Sequence, residues 1–256
     1  MASHQDLVQN ATVQVDRIED IDRSHLVEIL KKYNFARITG LVKPEAAARS
    51  RELMRKRFRM EDDRATTGES HEEVKTNFQK ISIGRARHGG VDRPRFMRCF
   101  YNPLWAEDIY EMRENFRKVA QLRNILGNRE LDFATDKEEG GMWTAARIHQ
   151  FPTGGGFMVA HRDTVLPKIY DDKGLGDFFQ PVLLLTQKGE DFETGGGFAE
   201  VAGERVVYED FAGRGDIVIY DTSTVHGVDD VDTHKPYRQD SIDGRMSALV
   251  TLYKSL

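Results

Sequence analysis

The sequence contains a single cysteine, Cys99, so no intrachain disulfide can form, and a reducing cytoplasm is the predicted location. It also lacks a long apolar run, since the longest, residues 181–185 (PVLLL), is far below the roughly 18 residues of a membrane-spanning helix. The first residues, MASHQDLVQN, contain no basic segment followed by an apolar stretch, so no secretory signal is predicted. The formal net charge is -5, and the sequence contains no long basic block. Both features argue against nucleic-acid binding.

The composition fits one folded domain over residues 1–256. Hydrophobic residues make up 39% of the chain and charged residues 31%, a composition typical of soluble proteins. Residues 1–140 are predicted to be mainly helical, supporting the rest of the chain and forming a lid over the substrate. Apolar residues three or four positions apart favour a helix over 105–126, and related patterns favour helices over 25–33 and 46–58.

Residues 141–256 carry a β-type pattern instead. Short β-branched and aromatic runs, separated by glycines, occur at 143–151, 157–161, 181–186, 196–201, 205–209, 216–221 and 245–253. Strands at this spacing favour a β-sandwich or an open barrel. The predicted fold class is therefore α+β, with N-terminal helices packed against a C-terminal β core. Glycine triplets at 154–156 and 195–197 favour tight turns, the second as a hairpin turn.

Three side chains of the β region are candidate metal ligands. His161 and Asp163 stand two residues apart at the end of a predicted strand, where side chains two apart lie on one face. His226 follows the apolar run DIVIYD, in TSTVHG. Two imidazoles and one carboxylate leave coordination positions open, which is the ligand set of non-haem Fe(II) oxygenases. Those positions are needed because a cosubstrate and O2 must both reach the metal.

A second pair of residues suggests what the cosubstrate is. Arg245 and Ser247 stand two apart on the last predicted strand, GRMSALVTLY, and therefore face the same way. An arginine binds a carboxylate through two hydrogen bonds, and a neighbouring hydroxyl adds a third. This pair would suit the far carboxylate of a dicarboxylic keto acid. An arginine in a structural salt bridge is the alternative interpretation.

Taken in order, these motifs resemble the Fe(II)/2-oxoglutarate-dependent oxygenases, in particular the phytanoyl-type and prolyl-hydroxylase-type branches. The matching segments are FPTGGGFMVAHRD, LLLTQKGEDFETGGGFAEV, GDIVIYDTSTVHGV and GRMSALVTLY. The resemblance covers the C-terminal part of the chain and implies a double-stranded β-helix (a jelly-roll, cupin-like core). It also implies that His161, Asp163 and His226 bind iron, and that Arg245 and Ser247 hold 2-oxoglutarate.

The resemblance further implies O2-dependent hydroxylation of an unactivated C–H bond in a small molecule, with succinate and CO2 as coproducts. Asp163 favours hydroxylation over halogenation, because related halogenases carry a small residue at that position and bind a halide there. Desaturation, epoxidation and cyclisation stay open, as does a role in natural-product biosynthesis. Two other functions also remain: a cupin-like metalloenzyme that does not use 2-oxoglutarate, and a non-catalytic ligand-binding domain.

Candidate substrate contacts are less specific. Arg147 and Gln150 lie on the strand leading to the predicted metal site, on opposite faces. Asn77 and Gln79 belong to a polar segment, 77–80, that we interpret as part of a lid or as ordinary surface. Basic residues in these segments favour an anionic substrate. The oligomeric state is left open by the sequence.

Overall fold

One large β-sheet connects the two halves of the chain. The computed structural model describes residues 2–65, 73–84, 87–88, 91–172, 174 and 177–254. Its strands are β1 (Thr12–Gln14), β2 (Ala36–Thr39), β3 (Asp63–Ala65), β4 (Phe78–Gly84), β5 (Arg87–His88), β6 (Val91–Asp92), β7 (Arg95–Tyr101), β8 (Met142–Pro152), β9 (Gly156–His161), β10 (Phe179–Leu184), β11 (Gly196–Val201), β12 (Glu204–Val207), β13 (Ile217–Asp221), β14 (His226–Val231) and β15 (Gly244–Lys254). A 13-stranded sheet contains all of them except β5 and β6, which pair with each other.

Helices are concentrated in the N-terminal half. They are α1 (His4–Asn10), α2 (Arg23–Tyr33), α3 (Pro44–Arg57), α4 (Arg113–Leu126) and α5 (Val165–Asp172), with short 3-10 helices at Ile18–Asp20, Met60–Asp62, Glu73–Lys75 and Tyr208–Asp210. Asp22 caps α2 by accepting a hydrogen bond from the backbone of His25, and Asn34 ends that helix in the left-handed conformation. None of the described helices has the length and apolar character needed to cross a membrane.

Helix α4 is shorter than the sequence predicted. It begins at Arg113, whereas the apolar spacing favoured a helix from residue 105. Glu111 has a φ of 52°, which a right-handed helix cannot accommodate. The Asp108 carboxylate instead accepts hydrogen bonds from the backbone N–H groups of Met112 at 2.8 Å and Arg113 at 3.2 Å. This local capping starts the helix at its observed position.

Residues 1–140 supply strands to the main sheet as well as helices. Strand β2 pairs with β13, β4 pairs with β7, and β7 pairs with both β8 and β9. Strand β7 is buried on both faces over most of its length, so it lacks the apolar–polar alternation that marks a half-exposed strand. The polar segment 77–80, interpreted as part of a lid or as ordinary surface, thus leads into strand β4.

The sheet is a double-stranded β-helix core, and its two faces have different partners. Helix α4 packs against β10 and β15 on the outer face. The inner face is the one shared by β4, β7, β8 and β15, and it meets β9 and β14 across a second apolar cluster. That cluster is formed by Val74, Met97, Cys99, Tyr101, Trp143, Ala145, Phe151, Phe192, Val228 and Val231. The inner face therefore looks towards the strands that carry the candidate metal ligands.

The glycine triplet at 195–197 does not form the predicted hairpin turn. Strand β11 begins at Gly196, and its hairpin with β12 turns at Ala202 and Gly203. Gly195 has a φ of 80°, and a Cβ there would lie 2.2 Å from the backbone oxygen of Asp230. The triplet is needed because the chain passes close to a neighbouring segment as it enters β11.

Candidate metal centre

The pairing of β9 with β14 brings two predicted ligands together. His161 lies directly opposite His226 in the antiparallel register, and their ring centroids are 4.4 Å apart. Met158 lies opposite Val228, so β9 has one residue more than β14 between these two pairs, which is a β-bulge. Because of the bulge, His161 shares a face with Met158, which a regular strand would not allow.

Asp163 follows the end of β9 and completes the cluster. Its Oδ1 lies 4.0 Å from Nε2 of His161, and its Oδ2 lies 3.8 Å from Nε2 of His226. One ligand atom from each of the three residues lies within 4.8 Å of the others. The structure thus brings together the three residues that the sequence suggested as metal ligands. His226 begins β14, a strand that the sequence did not predict.

The two imidazoles are oriented for metal binding. Nδ1 of His161 lies 2.9 Å from the Val159 carbonyl oxygen, and Nδ1 of His226 lies 3.1 Å from that of Thr224. Each Nδ1–H donates to its carbonyl, which leaves the Nε2 lone pair directed at the cluster. Burial and the neighbouring His226 lower the pKa of His161 to about 4, and burial lowers the pKa of His226. Both rings are therefore neutral near pH 7, the form that binds a metal.

This donor set fits Fe(II). Two neutral imidazoles and one carboxylate on the same side are the facial arrangement that leaves open positions on an octahedral ion. The side chains of His161, Asp163 and His226 are 11%, 14% and 8% exposed, so the cluster is largely shielded from solvent. A carboxylate so buried is stable when a cation stands close to it.

Two further side chains contact this cluster. The ring of Tyr220 stacks on His226, with centroids 4.1 Å apart and planes inclined by 25°. Nη1 of Arg93 lies 3.4 Å from Oδ1 of Asp163, while its Nη2 donates to the backbone oxygen of Arg162 at 3.0 Å. These contacts limit the rotation of one imidazole and of the carboxylate, as outer-shell groups do around metal sites.

The predicted cosubstrate residues lie on β15 and touch each other. Nη1 of Arg245 donates to Oγ of Ser247 at 3.1 Å, and its Nη2 donates to the hydroxyl of Tyr208 at 3.3 Å. Nε of Arg245 donates to Oε2 of Glu209 at 2.7 Å. The guanidinium also lies over the Phe151 ring, 5.1 Å from its centroid. The arginine therefore has a hydroxyl on either side and one internal carboxylate partner.

The four predicted substrate residues lie in different places. Arg147 is on the inner face of β8, where its Nε lies 3.1 Å from Nε2 of His149. Gln150 is on the outer face, held by Arg98 at 3.3 Å and by the backbone oxygen of Asp243 at 2.8 Å.

Gln79 and Asn77 are likewise held by structural hydrogen bonds. Gln79 is also on the outer face and donates to Arg59 and Asp63. Asn77 donates to the backbone of Glu107 and accepts from Asn102. Of the four predicted residues, only Arg147 shares the face that looks towards the metal ligands.

The chain is similar to solved structures, although sequence comparison finds no relative. No family model matches the sequence, and no curated protein is similar to it. A Pseudomonas putida prolyl-4-hydroxylase aligns over 92% of this chain and 100% of its own, with a TM-score of 0.54 and 12% identity. The chain therefore has the 2-oxoglutarate/Fe(II) oxygenase fold. AviO1 from Streptomyces viridochromogenes Tue57 aligns over 91% and 95%, with a TM-score of 0.51 and 17% identity.

The name of a third similar structure includes alpha ketoglutarate, which is 2-oxoglutarate. SnoN, a non-heme alpha ketoglutarate dependent epimerase from nogalamycin biosynthesis, aligns over 91% of this chain and 82% of its own. Its TM-score is 0.50 and its identity 10%. Identities this low establish the fold and leave the reaction to be argued from the site. The fold and the triad of His161, Asp163 and His226 together support Fe(II), 2-oxoglutarate and O2 as cofactors.

Sequence reasoning missed several groups at this site. Arg93, Tyr208, Glu209 and Tyr220 contact ligand or anchor residues, yet none belongs to a motif with a known spacing. Tyr220 carried a weak signal, because it ends the apolar run DIVIYD that precedes His226. Glu209 carried none, since a glutamate at the end of a short predicted strand is usually a solvated residue.

Proposed function

We propose that the chain is an Fe(II)/2-oxoglutarate-dependent dioxygenase that hydroxylates an unactivated C–H bond of a small molecule. One observation carries the proposal: His161, Asp163 and His226 converge on one point of a double-stranded β-helix that also contains a buried Arg245. Tailoring of a natural product is the proposed context. It is supported by the fold likeness to SnoN, whose own name refers to nogalamycin biosynthesis.

The metal ligands would act through three atoms. Nε2 of His161, Nε2 of His226 and a carboxylate oxygen of Asp163 would hold Fe(II), with both Nδ1–H groups fixed by backbone carbonyls. Once bound, Fe(II) and 2-oxoglutarate supply the activation of O2 that C–H oxidation requires, with succinate and CO2 as coproducts. The stacked ring of Tyr220 keeps His226 in position and excludes water from one side of it.

The anchor residues would orient the cosubstrate. Arg245 presents Nη1 and Nη2 between two hydroxyls, those of Ser247 and Tyr208, and this is a suitable receptor for the far carboxylate of 2-oxoglutarate. At 2% exposure the arginine is shielded from solvent, which strengthens its attraction for an anion. Asp163 would occupy the coordination position at which related halogenases bind a halide, and this favours hydroxylation.

One observation favours a second candidate function. Arg245 already has a carboxylate partner in Glu209, at 2.7 Å, so its charge is balanced without a bound diacid. A cupin-like metalloenzyme that does not use 2-oxoglutarate would have the same triad and no requirement for the anchor. Binding of 2-oxoglutarate separates the two functions, because only the first predicts that the diacid raises the Tm of the metal-loaded protein.

Succinate production from 2-oxoglutarate tests the proposal. Purified protein reconstituted anaerobically with Fe(II) and then exposed to O2 should convert 2-oxoglutarate to succinate and CO2, with added ascorbate supplying the two electrons that a substrate would otherwise provide. His161→Ala should abolish the conversion. His234→Ala is the matched control, because His234 is an exposed histidine paired with Glu193 outside the site. Undiminished succinate formation in folded His161→Ala protein would refute the assignment.

A further inference from the structure

Basic side chains from three adjacent strands meet on the inner face. Lys80 of β4 lies opposite Cys99 of β7, which lies opposite His149 of β8. Paired residues point to the same side of a sheet, so Lys80 and His149 share the inner face. Arg147 and Arg95 share it as well, since they stand at even spacings from His149 and Cys99 on their own strands.

The three basic side chains of this cluster are held in different ways. Nε of Arg147 lies 3.1 Å from Nε2 of His149, and its Nη1 donates to the hydroxyl of Tyr253 at 3.2 Å. Lys80 is 2% exposed, so its ammonium is held inside the protein. The Nε atom of Arg95 is buried and makes no hydrogen bond with any residue that the structure describes. A donor buried in this way costs free energy unless a ligand accepts from it.

The inner face around this cluster carries positive charge. Its positions along β4, β7, β8 and β15 include no Asp or Glu. Burial, and then the charges of Arg147, Arg95, Arg245 and Lys80, hold the pKa of His149 well below 6.5. His149 is therefore neutral near pH 7 and adds hydrogen-bonding capacity without charge.

The cluster lies beside the metal ligands. Arg95 is opposite Met158 of β9, and Met158 shares its face with His161 because of the bulge. Arg93, two residues before Arg95, contacts Asp163. The positively charged side chains therefore extend along the start of β7 from the cluster to the metal ligands. Arg245 lies on β15, which pairs with β8 on the side opposite to β7. Its charge is balanced there by Glu209.

We propose that Lys80, Arg95 and Arg147 form a subsite for an oxyanion group of the substrate, a carboxylate, sulfate or phosphate. This proposal rests on the proposed function, because it assigns the substrate class of the same site. The oxyanion would accept hydrogen bonds from two guanidinium groups and one ammonium, which places the rest of the substrate over the metal ligands. The subsite is distinct from the anchor formed by Arg245, Ser247 and Tyr208.

Sulfate is the probe for the subsite, because it is a tetrahedral oxyanion with little affinity for divalent metals. Calorimetric titration at constant ionic strength, on protein loaded with Mn(II) and saturated with 2-oxoglutarate, should show one saturable sulfate site. Arg95→Gln and Arg147→Gln should each weaken sulfate binding about tenfold, the effect of losing one charge-assisted hydrogen bond. Arg238→Gln, which removes an exposed arginine paired with Asp240, is the matched control and should leave sulfate binding unchanged.

Three results would overturn the proposal. The first is wild-type protein without saturable sulfate binding, and the second is unchanged binding in folded Arg95→Gln and Arg147→Gln proteins. The third is equal weakening of 2-oxoglutarate and sulfate binding in both variants, which would assign the cluster to the cosubstrate. Because none of the three subsite residues is a metal ligand, sulfate binding should persist in metal-free His161→Ala. Failure of the subsite is thus distinguishable from failure of the oxygenase function.

Discussion

Arg245 and Glu209 form a buried ion pair, with Nε of the arginine 2.7 Å from Oε2 of the glutamate and side-chain exposures of 2% and 1%. The same Oε2 accepts a hydrogen bond from the backbone N–H of Gly197, whereas Oε1 has no partner among the described residues. Glu209 therefore holds one edge of the guanidinium. Nη1 and Nη2 stay directed at Ser247 and Tyr208, where a ligand carboxylate would bind.

Replacing Glu209 with glutamine should lower stability and strengthen the response to 2-oxoglutarate. Glu209→Gln keeps the side-chain shape but leaves the charge of Arg245 buried without its carboxylate, which costs about 3 to 5 kcal/mol of unfolding free energy. A bound diacid would then supply the missing charge, so 2-oxoglutarate should raise the Tm of the variant more than that of the wild-type protein. Thermal unfolding of the Mn(II)-loaded proteins with and without 2-oxoglutarate measures both effects. Equal shifts in the two proteins would contradict this role of Glu209.

Removing the ring that stacks on His226 should weaken metal binding. Tyr220→Ala deletes the ring, whose centroid lies 4.1 Å from that of His226, and removes one of the contacts that limit rotation of the imidazole. We expect metal affinity to fall about tenfold to a hundredfold, as for other outer-shell groups. Tyr220→Phe is the control, because it keeps the ring and should keep most of the affinity. Competition of Mn(II) against a chelator gives both values, and equal affinities in the Ala and Phe variants would speak against the stacking argument.

The neutral, partly buried His149 should make stability pH-dependent. Its pKa in the folded protein lies well below 6.5, so only the unfolded chain gains its proton when the pH falls below about 6.5. The stability contributed by His149 is complete above that pH and is lost as the pH falls further. In metal-free His149→Gln, the slope of unfolding free energy against pH should be smaller by up to about 1.4 kcal/mol per pH unit. Urea unfolding at about pH 6 and about pH 5 provides the slopes, and identical slopes in both proteins would contradict the prediction.

Much of the fold could be predicted from sequence because β-branched and aromatic runs mark strands in the second half. The fold class, the C-terminal core and the likeness to 2-oxoglutarate/Fe(II) oxygenases are confirmed. Strand β7 was missed because both of its faces are buried and its pattern does not alternate. The start of α4 was missed because a carboxylate cap at Asp108 and a left-handed Glu111 override the apolar spacing.

The candidate site could be predicted only where its residues occur in a recognisable order. His161, Asp163 and His226 met that condition, as did Arg245 and Ser247 on one strand face. The bulge that turns His161 inwards depends on pairing between distant strands, which alternation along one strand does not reveal.

Assigning an inner and an outer face to β8 required that pairing too. The sequence placed Gln150 and Arg147 on opposite faces, but only the register of β7, β8 and β15 identified the face of Arg147 as the inner one.

The most direct test of the account is metal binding at the triad, measured as the amount of Mn(II) bound per chain. The wild-type protein should bind one Mn(II), because three neutral or anionic donors converge within 4.8 Å. His161→Ala and His226→Ala should each lose that ion while remaining folded, and His234→Ala should retain it. Stoichiometric Mn(II) binding in both folded triad variants, or none in the wild-type protein, would contradict the account.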